Sequence, residues 1–152
     1  MSAVLLSVHV LAAIVFIGPV TVATSMFPRA ARAARAGEGS RSVVAVLHRI
    51  SRVYAVLGIA VPVFGLATGA AMGVLGDAWL LVSIALTLLA ALLLGLDVLP
   101  GQAAVLTALQ GEPTPDGTRV ARRLSMTSGV FALLWAVVVV LMIVRPGSST
   151  GV

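Results

Sequence analysis

The chain has no cysteine and no lysine, and only 10% of its 152 residues are charged. Without thiols, disulfides, thiolate metal centres and thiol redox chemistry are excluded. A soluble domain ordinarily carries about 25% charged residues, so most of this surface must meet something other than water. Catalytic signatures are missing as well. There is no Walker loop, no HExxH and no GxGxxG, and no serine stands in a readable spacing with histidine and aspartate. The start of the chain lacks the basic n-region of a secretory signal, and its apolar run is too long for an h-region.

What is present is apolar: 60% hydrophobic residues and a mean hydropathy of +1.14. Four runs carry it, at residues 3–27, 47–75, 79–99 and 124–144. Each is long enough to cross roughly 30 Å of hydrocarbon. The pattern predicts an all-α integral membrane four-helix bundle in one transmembrane domain. Pro28 and the arginines after it are expected to end the first run. Gly18-Pro19 and Pro62 lie inside runs and predict kinks, which a transmembrane helix tolerates when neighbours satisfy the freed carbonyls.

The net charge of +5 comes with ten basic residues, all arginine. Arg29, Arg32, Arg35 and Arg41 lie in a basic connection, residues 28–46, and Arg49 and Arg52 open the second run. Arg119, Arg122 and Arg123 end a polar connection, residues 100–123, in which Gln102 to Gln110 reads as a short interfacial helix before the turn-rich GEPTPDG. Arginine beside apolar runs is an orientation signal, so nucleic acid is not the expected partner. The connection between the second and third runs has no arginine. Loops one and three are therefore expected in the cytoplasm of a bacterial plasma membrane, with both termini outside; Arg145 alone dissents. The basic loops are expected to face lipid headgroups or partner acids. Arginine without lysine, beside abundant Ala, Val and Gly, reads as a high-GC, actinobacterial composition.

Lipid gives helices no hydrophobic reason to associate, so small residues must permit close contact. Gly65, Gly69 and Gly73 recur every four residues, as do Ser128, Ala132 and Ala136; both sets are read as packing stripes. Asp97, near the end of the third run, needs a partner at that depth, and Arg49 and Arg52 are the expected ion-pair partners. Tyr54, Trp79 and Trp135 are read as packing or interface anchors.

His9 and His48 are the only histidines. A haem bridged between them is disfavoured, because in this topology their levels differ by roughly 20 Å at 1.5 Å rise per residue. His9, within an apolar helix, is expected to hydrogen-bond a neighbouring hydroxyl or carbonyl, with haem or copper ligation as the sharper alternative. His48 is expected at the headgroups. The string His48-Arg49-Ile50-Ser51 is similar to the His-Arg-x-Ser motif of succinate dehydrogenase cytochrome b subunits. Arg52 replaces the glycine found next in that motif, and no later histidine exists, so the match is not adopted.

Three segments together, His9 to Pro19, Leu47 to Gly69 and Arg122 to Gly147, resemble an uncharacterised bacterial family of small four-span integral membrane proteins. The first helix is also distantly similar to that of copper-resistance D-type membrane domains and of a membrane protoporphyrinogen oxidase family, through His9. The resemblance implies the four-span architecture and no activity. The expected function is a non-catalytic accessory or assembly subunit of a larger respiratory or transport complex, with no cofactor, in contact with lipid and with other membrane subunits or itself. The alternatives are a haem- or metal-binding redox protein using His9, and a small oligomeric transporter with Asp97 as its gate.

Overall fold

The computed structural model describes residues 2–111 and 117–147; most of GEPTPDG and the end of the Gly/Ser tail lie outside the described residues. Helix α1 (Ser2–Ala12) passes through a π turn (Ala13–Ile17) into α2 (Gly18–Arg35). Helices α3 (Arg41–Leu57) and α4 (Ala60–Met72) make the second long rod. Helix α5 (Ala78–Leu93) runs through a second π turn (Leu94–Val98) into α6 (Leu99–Leu109), and α7 (Gly117–Val144) completes the set. Four helices are long and apolar enough to cross a membrane. The chain is thus an all-α, four-span membrane bundle.

The helices outrun their apolar runs. The first three are 33, 32 and 32 residues long, about 48 Å each at 1.5 Å per residue, against roughly 30 Å of hydrocarbon. The first does not stop at Pro28, which is buried inside α2, and helix continues to Arg35. Alanine and arginine are both strong helix formers, so PRAARAAR extends the rod beyond lipid. The basic connection shrinks to 36–40, closed by Ser40, whose Oγ accepts the Ser42 amide at 3.2 Å as an N-cap. The polar connection contracts likewise, because α6 reaches Leu109.

Each irregularity precedes a proline. The π turns stand before Pro19 and Pro100, and the break at Gly58-Ile59 stands before Pro62. Proline lacks an N–H and its ring crowds the carbonyl four residues back. A widened or interrupted turn relieves that crowding without ending the rod. The expected kink sites at Gly18-Pro19 and Pro62 are therefore local repairs.

Packing differs between the two ends. At the arginine-rich end α2 packs on α3 and α7, and α3 on α6. There the core holds Phe27, Val44, Val98, Val105 and Phe131, all 1% exposed or less. At the end carrying both termini, α1 packs on α4 and α7 on α5. The two hairpins separate there, joined mainly by the short turn after Met72. Gly73 makes that turn in the left-handed region (φ 72), where a side chain would be strained. It is a helix cap with open space around it, not the packing contact expected of it. In the other stripe Ser128 is buried and Ala132 half-buried, but Ala136 is exposed.

Candidate functional site: a cleft between two hairpins

Where the hairpins separate, all four spans line a cavity of about 800 Å³, within the range of small-molecule sites. Its walls are mainly aliphatic, with Leu6 and Ala13 from the first span facing Leu80, Ile84 and Val138 from the third and fourth. Val10, Ile14, Val139 and Ile143 on the α1 and α7 side, and Leu66 and Leu88 on the α4 and α5 side, also line it and are exposed, so the cleft is open on its flanks.

Few polar groups enter this wall. His9 packs its ring on Gly65: a Cβ there would lie 2.9 Å from Cε1 and 3.2 Å from Nδ1. Gly65 is thus a close-approach glycine, and the contact is to an imidazole. His9 Nδ1 lies 2.9 Å from the Val61 carbonyl. A carbonyl can only accept, so Nδ1 carries a proton. Of the sequence alternatives for His9, a hydrogen bond to a carbonyl is what the structure contains. Gly69 is buried against Leu80 and Leu75, at the α4–α5 turn.

Trp135 lies between this cavity and a smaller void of about 80 Å³ deeper in the bundle. Its ring meets Phe131 edge-on, with centroids 6.4 Å apart. Its indole Nε1 is buried with no hydrogen-bond partner, a state that costs about 1–3 kcal/mol when nothing supplies an acceptor. At the rim, Trp79 is buried and donates from Nε1 to Asp77 Oδ2 at 3.0 Å. Arg145 lies over the Trp79 ring, 5.7 Å from its centroid, a cation–π arrangement. Arg145 also ends α7 in the left-handed region (φ 46). It is held there by its amide to Leu141 O (2.9 Å) and its Nε to Met142 O (3.3 Å).

The remaining sequence-predicted residues lie away from the cleft. Asp97 is ion-paired to Arg123, not to Arg49 or Arg52, which are exposed. Asp97 Oδ2 and Ser128 Oγ are buried without partners. Arg29, Arg32, Arg35, Arg41, Arg119 and Arg122 are exposed on the helix extensions, where headgroups or partner acids can reach them.

His48 faces a side-chain partner within the bundle. It is half-buried, with Nδ1 3.1 Å from Gln102 Oε1, and Gln102 Nε2 donates to Ser51 Oγ at 3.3 Å. Ser51 in turn donates to Leu47 O at 2.9 Å. Gln102 is fully buried and does not open an interfacial helix. The signal that places it is the spacing Leu94, Val98, Gln102, Val105, Leu109, a single buried helical face.

A family model described as "Predicted integral membrane protein (DUF2269)" matches residues 3–146. No curated protein and no solved structure matches the chain. The chain belongs to this family of integral membrane proteins, whose description carries no activity.

Proposed function

We propose, taking the chain as a member of that membrane family, that it is a non-catalytic accessory or assembly subunit of a larger plasma-membrane complex. Its own contribution is to hold one molecule drawn from the bilayer in the cleft between the hairpins. The observation that carries this reading is the cavity of about 800 Å³ with aliphatic walls and a lateral opening. An empty apolar space of that size leaves wall atoms without packing partners, whereas an apolar guest restores those contacts. Loop charge favours an orientation with the termini, and hence the cleft, on the outer side. The arginine-bearing extensions then meet the cytoplasm, where anionic headgroups or an acidic partner surface suit them.

Native mass spectrometry of protein extracted in mild detergent tests the guest. A stoichiometric bilayer-derived adduct is expected, and Ala13→Phe, which fills the cleft from the first span, is expected to lose it while keeping helical circular dichroism. An adduct-free wild type, or an adduct retained by the filled variant, sinks the reading. Migration within a larger assembly from native membranes is the matching expectation for the accessory role; the same band running alone in the mildest detergent counts against it.

The tautomer of His9 favours a second reading, a haem or metal ligand. Metal-bound histidines commonly give their other ring nitrogen to a backbone carbonyl, as Nδ1 does here to Val61. Nε2 could then ligate a metal macrocycle whose body fits apolar walls. His48, engaged with Gln102 on the third span's inner extension, does not reach this site. The expected sign is a Soret band or bound copper that His9→Ala abolishes. A spectrum without that band after haem addition, with no copper by elemental analysis, removes the reading.

A further inference from the structure

We propose that the molecule the cleft takes is an amphipathic anion: a long apolar body lying along the aliphatic walls, with a single acidic head at Arg145. This rests on the cleft reading above and names the class of its guest. The cleft and such a guest are complementary in charge. Arg145 is among the residues lining the cavity, and no aspartate or glutamate is. The carboxylate beside Trp79 at the rim, Asp77, accepts from the Trp79 indole. Among the described residues no carboxylate lies within ion-pair distance of Arg145. Its Nε is used by Met142 O, and its terminal nitrogens have no protein partner there.

The placement of that guanidinium is built. A left-handed backbone is an uncommon conformation for a residue other than glycine, and Arg145 adopts it with its amide and Nε both bonded back to α7. The face of Trp79 supports the cation from one side, the stacked mode in which arginine still offers its fork to a carboxylate or phosphate. A cation at the mouth and no acid in the wall select a guest that is negative at one end.

The two tryptophans of the chain, Trp79 and Trp135, both line the cavity, so their fluorescence reports occupancy directly. Purified, delipidated protein in zwitterionic nanodiscs would be titrated with a brominated long-chain carboxylic acid and with the alcohol of the same chain. Quenching beyond that of the filled variant Ala13→Phe is the readout. The acid is expected to quench at roughly tenfold lower concentration than the alcohol. Arg145→Gln is expected to erase that difference, and Arg145→Lys to keep part of it. Equal quenching by acid and alcohol in the wild type overturns the anionic class and leaves the cleft reading standing. Quenching by neither probe beyond the filled variant removes both. An acid preference undiminished in folded Arg145→Gln overturns the assignment of the head to Arg145. The wild-type comparison decides the guest's class even if that variant does not fold.

Discussion

Replacing Gly65 by valine is expected to destabilise the bundle by about 3 kcal/mol, and adding His9→Ala to the same chain is expected to return most of that loss. The first added carbon alone would stand 2.9 Å from His9 Cε1, closer than two carbons approach. Because the ring sits between α1 and α4, it must leave or the two helices must part. Overpacking of this kind costs about 1–3 kcal/mol, and loss of the Nδ1–Val61 bond adds about 1 kcal/mol. With alanine at position 9 there is no ring to displace, so the two substitutions should be strongly non-additive, as contacting residues are. Unfolding in mixed detergent and SDS micelles, run on both singles and the double, measures the coupling. Additive losses would mean that the imidazole does not occupy the space above Gly65.

The second large effect is expected at the other end of the bundle. Gln102→Leu should cost about 2 kcal/mol, although it removes a polar group from an apolar core. Gln102 is fully buried and bridges two residues of α3, accepting from His48 and donating to Ser51. Leucine leaves the half-buried His48 Nδ1 proton without its acceptor, and an orphaned donor costs about 1–3 kcal/mol. Ser51 is less affected, because its hydroxyl still donates to Leu47 O. Replacing both ends, as in Gln102→Leu with His48→Phe, removes the orphan and should recover much of the stability. The same micelle unfolding assay separates the cases. A double variant weaker than the single would show that the network, not the orphan, supplies the stability.

These residues also show how much of the molecule is legible in its sequence. The four spans follow from apolar runs, because hydrocarbon demands them and little else produces them. Their ends do not follow, because hydropathy measures where lipid stops and not where helix stops. Arg29, Arg32 and Arg35 leave the lipid and stay helical. Spacing picks out the small residue at position 65, yet spacing cannot say that a histidine ring faces it. Asp97 shows another limit. Both neighbouring antiparallel helices bring arginines to its level, and it lies in a π turn. The extra residue of such a turn rotates the helix beyond it by about 100° relative to a regular 3.6-residue repeat. A template of regular helix therefore cannot choose between Arg49, Arg52 and Arg123. The cleft is least legible of all. It arises from the divergence of two hairpins, and no single segment carries that signal.

The short turn after Met72 has a mechanical consequence. It fastens α4 to α5 at the end where the hairpins part, while α1 and α7, across the cavity, are tied by no loop. The cleft end of the bundle is thus fastened along one side only. Helices α1 and α7 stand on opposite flanks of the cavity, so a separation of the hairpins would carry them apart. Labels on α1 and α7 would report any such separation as a change in the distance between them.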